Sequence, residues 1–162
     1  MEVVVSDTTP LHYLILIGRE FILEKLYGSI IVPPAVLAEL TNSSAPARIS
    51  TWAARPPNWV SVATPRCIPA RFDSLDMGER QALALAKETM AGWILLDDKV
   101  ARRFAEREKL KVKGTLGIVA DAARANLLDF ARTVEDLQRT SMHLDPDLVI
   151  EMIRQYERGI RG

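Results

Sequence analysis

Short runs of β-branched and apolar residues alternate along this chain with longer helical stretches, and two of the runs end in carboxylates. "EVVVS" is followed at once by Asp7, and "WILL" by Asp97 and Asp98. A run that is apolar at successive positions, rather than at every second one, reads as a strand buried on both faces. Such strands belong to parallel sheets, whose connections are helices. The pattern predicts strands at Glu2–Ser6 and in "SIIVP", "NWVSVAT", "WILLDD" and "LKVKG". Helices are expected in "PLHYLILI", "REFILEKLYG", "PAVLAEL", "APARISTWAAR", "DMGERQALALAKETM", "KVARRFAEREK" and "TLGIVADAARANLL". Thr8 or Thr9 is the expected cap of the first, with Pro10 in its opening turn. Two further helices, "TVEDLQRTS" and "DPDLVIEMIRQYERG", form a tail. The expected class is α/β, a parallel sheet with helices on both faces.

With 162 residues, the chain suits one compact domain. Residues 1–128 are expected to form it, with an irregular, proline-rich insertion at 41–73. Residues 129–162 are expected to be a helical extension packed on the same domain. Twenty-one basic residues balance twenty-one acidic ones, which argues against a strongly basic non-specific nucleic-acid binder. One cysteine, Cys67, permits no internal disulfide, so a reducing, cytoplasmic setting is expected. No basic leader and no long apolar run suggests secretion or a membrane span.

In parallel sheets, sites lie beyond the carboxyl ends of the strands. Asp7 and the Asp97–Asp98 pair stand at two such ends. Glu39, in the helix after the second strand, and Glu79, in the first turn of its own helix, can reach the same edge. Each has a plainer role open to it. Asp7 and Asp98 can cap the helices that follow them, and Asp97 can be solvated. Glu79, three residues after Asp76, can tie down a helix start. Glu39 can lie on a wet helix face. Together they are costly: two carboxylates 4 Å apart repel by about 4 kcal/mol at an effective dielectric near 20. Protonation or a cation must relieve that repulsion. Oxygen donors without His or Cys point to a hard divalent ion, Mg²⁺ or Mn²⁺.

The motifs "VVVSDTTPL", "IIVPPAVLAEL", "LDMGERQALALA", "WILLDDKVARRFAE" and "LKVKGTLGIVADA" resemble, in order, those of the PIN-domain family, which includes the VapC-type toxins. They cover roughly residues 2–126. The nearest likeness is to a prokaryotic branch with paired "GE…A" and "DD…AR" motifs and a following "GTLG". The resemblance implies a three-layer α/β/α sandwich with a PIN-like parallel sheet and Mg²⁺- or Mn²⁺-dependent RNA hydrolysis. It assigns catalytic roles to Asp7, Glu39, Glu79 and Asp98. Metal ligation falls to Asp7, Asp98, Asp97 and Glu79, with Asp98 favoured over Asp97. Thr8 and Thr9 match hydroxyl positions that support the first aspartate. Glu79 stands where many members carry aspartate, and Leu95 and Leu96 precede the last acids where a threonine is common.

One clearly basic block, residues 99–113, begins right after the acidic pair. Lys99, Arg102 and Arg103 are its candidates for holding RNA phosphates; a solvated helix face is the plainer alternative. "GTLG" is expected to start a helix near the sheet edge. The tail helix carries an apolar stripe at Leu148, Ile150, Met152, Ile153 and Tyr156. The functional expectation is a ribonuclease acting as the toxin of a type II toxin–antitoxin module. Its expected partners are RNA, an antitoxin protein and a second copy of itself as a homodimer. The competing expectation is a catalytically silent PIN-like module that binds RNA or protein.

Overall fold

The computed structural model describes residues 2–161, with side chains through Tyr156. Met1 and Gly162, the outer bounds of the two expected segments, lie outside them. By its internal contacts the chain divides into Met1–Thr115 and Leu116–Gly162.

The first unit is built on five short strands: β1 (Val4–Ser6), β2 (Ile30–Val32), β3 (Val60–Val62), β4 (Trp93–Leu95) and β5 (Val112–Lys113). All pair in parallel, in the order β3-β2-β1-β4-β5. Val5 sits opposite Ile31 on one side and Ile94 on the other. The helices are α1 (Thr8–Leu16), α2 (Phe21–Tyr27), α3 (Pro34–Thr41), α4 (Ala47–Ala54), α5 (Met77–Glu88) and α6 (Lys99–Arg107), and α7 (Thr115–Arg124) begins at the unit's last residue. Helices α1 to α6 flank the sheet as a three-layer α/β/α sandwich, and every expected strand and helix of this unit is present.

Val4, Val5, Ile30, Val32, Ile94 and Leu95 are all buried, as runs apolar at successive positions require. Each such side chain contributes about 1.5–3 kcal/mol. On one face, Val5 and Ile94 pack with Leu83 and Ala86 of α5, Ala101 and Ala105 of α6, and Phe72. Strands run outward from β1 in chain order on one side and from β4 on the other. The sheet therefore reverses direction between β1 and β4, and the crevice at that reversal, outside the carboxyl ends, is where such folds bind ligands.

Several boundaries differ from expectation, β1 beginning at Val4 rather than Glu2. Helix α1 starts at Thr8, two residues before Pro10, so Asp7 and not a threonine occupies the N-cap position. The helix expected from Thr133 begins instead at Phe130, as α8 (Phe130–Gln138), because the Asp129 carboxylate accepts from the Arg132 N–H at 2.8 Å and caps it. That helix lies in the second unit with α9 (Pro146–Arg161). In α9 the apolar stripe is rotated from the expected one. Val149 is buried, Leu148 and Ile150 are exposed, and Tyr156 stacks on Phe130 with ring centroids 5.5 Å apart. Val149, Met152, Ile153 and Tyr156 are the positions that share a face at helical period.

Candidate active site

Asp7 ends β1, and its N–H donates to the Leu95 carbonyl at 2.9 Å, which ties it to the end of β4. It occupies the N-cap of α1 in extended conformation, yet its side chain makes no capping hydrogen bond. The plain capping role is therefore not the one it plays. Asp7 is buried to 5% exposure. Burial pushes its carboxyl up to about 7; the Thr8 N–H pulls it down, and the charges of Asp76, Glu39 and Asp97 push it further up.

Glu39 reaches the same place from α3. The Thr8 hydroxyl donates to its Oε2 at 2.7 Å, so Thr8 serves the glutamate with its hydroxyl and Asp7 with its N–H. A Cβ built on Gly78 would lie 2.7 Å from Glu39 Oε1 and 3.5 Å from Asp7 Oδ1. The glycine of the "GE" motif is thus the floor on which two carboxylates meet. Helix α3 has Pro33 at its N-cap and no side-chain cap of its own. The Ala35 N–H donates instead to Gln81 Oε1 of α5 at 2.9 Å, which fastens the Glu39 helix to the Glu79 helix. Thr9 is half-buried in the first turn of α1.

Glu79 does tie down its helix start: its N–H donates to Asp76 Oδ1 at 2.8 Å. Its carboxyl, however, is held far above the ordinary glutamate range. Burial is the main cause, followed by a side-chain hydrogen bond with Asp76 and the charges of Asp76, Asp7 and Asp98. Asp76 is thus a further acid of the cluster, although in sequence it reads only as a cap. An acid at the cap followed three residues later by another acid was the available signal: a capping box pairs a hydroxyl with an acid, whereas two carboxyls hydrogen-bond only by sharing a proton. The turn before Asp76 is stapled by Arg80, which donates to the Leu75 carbonyl at 2.6 Å and the Asp73 carbonyl at 2.7 Å.

The two acids after β4 part ways. The exposed Asp98 caps α6, its Oδ2 accepting from the Ala101 N–H at 2.9 Å. Asp97 turns toward β5. Thr115 donates to it twice, from its N–H at 2.9 Å and from its hydroxyl at 2.6 Å. Burial raises the Asp97 carboxyl, while the two Thr115 bonds and the charge of Arg102 pull it down. "GTLG" does begin a helix, as expected, but its threonine also binds an acid of the site, for which a hydroxyl at a neighbouring strand end was the one available signal. Of the basic candidates, Arg102 is half-buried beside Asp97, whereas Lys99 and Arg103 are exposed on α6. His12 meets the Tyr13 ring edge-on at 4.8 Å.

The crevice between β1 and β4 thus gathers Asp7, Glu39, Asp76, Glu79, Asp97 and Asp98. A family model described as a PIN domain matches residues 3–158. The chain belongs to the PIN-domain family. The match runs past the motifs quoted above into the helical tail. No curated protein and no solved structure matches the chain. PIN domains are in general nucleases that use divalent metal ions, so the fold is of the nuclease type.

Among the described residues, no three His, Cys, Asp or Glu side chains form a ready-made metal-holding group. The donors nonetheless fit a hard divalent ion. All are carboxylate oxygens, and Asp7 and Glu79 are both raised, first by burial and then by the charges of neighbouring acids. Mg²⁺ is commonly held by one or two carboxylates with water completing its shell, so a closed cage is not required. No helix among the described residues is long and apolar enough to cross a membrane.

Proposed function

We propose that this PIN domain is a Mg²⁺- or Mn²⁺-dependent endoribonuclease, the toxin of a two-protein module. One observation carries the reading: Asp7 is buried at the sheet's reversal point, pressed by three other carboxylates and with no cation contributing to its environment. Strongly perturbed acids in a cleft mark functional sites more often than structural ones. The ion would rest on Asp7, Glu79 and Asp98, and when bound it supplies a polarised water and positive charge for the phosphate.

The chain's own residues do the rest. Glu39, fixed through one oxygen by Thr8, orients the attacking water with the other. Lys99, Arg102 and Arg103 hold phosphates along α6. Attack by water opposite the 3′ oxygen leaves 5′-phosphate and 3′-hydroxyl ends.

The test is incubation of the purified protein with a panel of RNAs and Mg²⁺ or Mn²⁺, beside an Asp7→Asn control. Cleavage by the wild type alone is expected; equal cleavage by both would sink the assignment. A homodimer and an antitoxin partner belong to the same proposal. Light scattering reads the first. A neighbouring gene for a small DNA-binding protein, and capture of this chain by its product, reads the second.

The hydrogen bond between Glu79 and Asp76 favours a second reading, because a shared proton relieves part of the repulsion without an ion. In that case the chain is a silent binding module. Calorimetry distinguishes the two, since a silent module takes up neither ion at millimolar concentration.

A further inference from the structure

Asp97 and Asp98 are neighbours in sequence with opposite surroundings. Asp97 is engaged on both oxygens: Oδ1 accepts from the Thr115 N–H at 2.9 Å and Oδ2 from the Thr115 hydroxyl at 2.6 Å. Asp98 is exposed, and the Ala101 N–H, donating to its Oδ2, fixes its orientation. Its charge bears on Glu79. Gly114 directly follows β5, the neighbour of β4. A Cβ there would come 2.9 Å from Asp97 Oδ1 and 3.1 Å from Arg102 Nη1. The carboxylate and the guanidinium therefore converge over one bare stretch of backbone.

We propose that Asp97 is a positioning residue rather than an ion ligand: with Thr115 and Gly114 it forms a clamp that holds the Arg102 guanidinium at the carboxyl edge, where it takes an RNA phosphate. A ligand carboxylate must turn its lone pairs to the ion. Asp97 turns them to Thr115 and toward Arg102. Arginine suits the task, because its planar fork keeps donors for a phosphate while another edge faces a carboxylate. The hydroxyl bond from Thr115 stops the carboxylate from rotating, and the missing Cβ of Gly114 lets the guanidinium settle against it. The phosphate half of the proposal rests on the nuclease reading; the clamp itself does not.

Three measurements decide it. In ¹⁵N spectra of arginine-labelled protein, Arg102 is expected to show restricted rotation of its guanidinium. Thr115→Val is expected to abolish the restriction and Thr115→Ser to keep it; equal spectra for wild type and Thr115→Val would overturn the clamp. In calorimetry with Mn²⁺, Asp98→Asn, which still caps a helix, is expected to weaken binding roughly tenfold or more, and Asp97→Asn by no more than about threefold. Equal losses would overturn the assignment of Asp97. In an Asp7→Asn background, Arg102→Ala is expected to weaken single-stranded RNA binding roughly tenfold and to lower the salt slope by about one. Thr115→Val is expected to follow it, Thr115→Ser to rescue, and the double variant to be no worse than Arg102→Ala. Additive losses, or an unchanged slope, would overturn the link from Thr115 to the phosphate. RNA binding absent even from the Asp7→Asn protein would instead overturn the nuclease reading, and the spectra would still decide the clamp.

Discussion

The ends of β1 and β4 lie side by side, each delivers an aspartate to the same crevice, buried at β1 and half-buried at β4, and they treat that charge in opposite ways. Asp97 has two hydrogen bonds from Thr115 and the positive charge of Arg102. Asp7 has the Thr8 N–H and otherwise only like charges. The β4 end thus meets its aspartate with donors and a cation, and the β1 end meets its own mainly with other acids. Burying a lone charge is costly, and the surrounding core, with Val5, Leu83 and Ile94 fully buried, is what holds Asp7 in place against that cost.

The largest expected effect follows from this asymmetry. Asp7→Asn is expected to lower RNA cleavage roughly a thousandfold, about 4 kcal/mol of barrier, while making the ion-free protein more stable at pH 8. The sign is fixed by the direction of the shift. The Asp7 carboxyl is raised from 3.8 to about 7 on folding, so its contribution to stability is full below pH 4 and is lost as pH rises through 7. The loss is at most about 4 kcal/mol. Urea unfolding with a chelator at pH 5, 6, 7 and 8 is expected to show wild-type stability falling across that window and Asp7→Asn staying flatter. Millimolar Mg²⁺ is expected to restore the wild type at pH 8. A wild type whose stability rises from pH 5 to 8 would mean that Asp7 is compensated after all, and the contrast with Asp97 would disappear.

The β4 side is next. Gly114→Ala is expected to weaken RNA binding about tenfold, because the new methyl would press on Asp97 Oδ1 and Arg102 Nη1. Thr115→Val keeps the shape but strands a buried carboxylate oxygen, at about 1–3 kcal/mol. Thermal unfolding separates the two variants, since the glycine change is expected to spoil function more than stability. Equal stability of Thr115→Val and wild type would show that the β4 end does not depend on its internal bonds.

The fold was legible because burial on both faces leaves a plain mark in sequence: "VVVS", "SIIV" and "WILL" are apolar without alternation, and each proved to be a buried parallel strand. The convergence of Asp7, Glu39 and Glu79 was legible through the rule that parallel strands open their sites at the carboxyl ends. What sequence could not yield was the wiring. Thr8 is adjacent to Asp7 in the chain but bonds Glu39, 31 residues away. Thr115 stands 18 residues from Asp97. Thr8 bears on Asp7 through its N–H, while its hydroxyl, at the first residue of helix α1, turns toward α3. Asp76 was hidden because capping and membership of the cluster use the same residue type at the same position.

Gly78 offers a finer cut at the β1 side. Alanine is the better helix former by about 1 kcal/mol, and Gly78 lies within α5 without a positive φ. Gly78→Ala is therefore expected to leave thermal stability nearly unchanged. Its methyl would nonetheless stand 2.7 Å from Glu39 Oε1 and displace that carboxylate from the Thr8 hydroxyl. A shift of about an ångström at a positioned group costs roughly a hundredfold in rate. Steady-state cleavage beside a melting curve checks both halves. A fully active Gly78→Ala would mean that Glu39 does not act from the place Thr8 gives it.

The smallest expected effect concerns Gln81, which joins the helices that carry two carboxylates of the cluster. Gln81→Leu removes the acceptor for the Ala35 N–H at the start of α3 and is expected to cost about 1 kcal/mol of stability, the usual worth of a lost helix cap. Because α3 also carries Glu39 while α5 carries Gly78 and Glu79, loosening this one bond lets the two sides of the β1 pocket drift together or apart. Cleavage is expected to fall only a few-fold, about 1 kcal/mol of barrier, with ion affinity unchanged. Gln81→Glu separates the two roles of the side chain. It keeps the acceptor, so the cap and the stability are expected to survive. It also adds a charge on the helix that already holds Glu79, so the ion-free protein is expected to lose stability above neutral pH and regain it with Mg²⁺. If Gln81→Glu behaves as Gln81→Leu at every pH, the uncompensated field at the β1 end does not reach from Glu79 to Gln81, two residues on, and the asymmetry between the two strand ends is confined to Asp7 and its immediate neighbours.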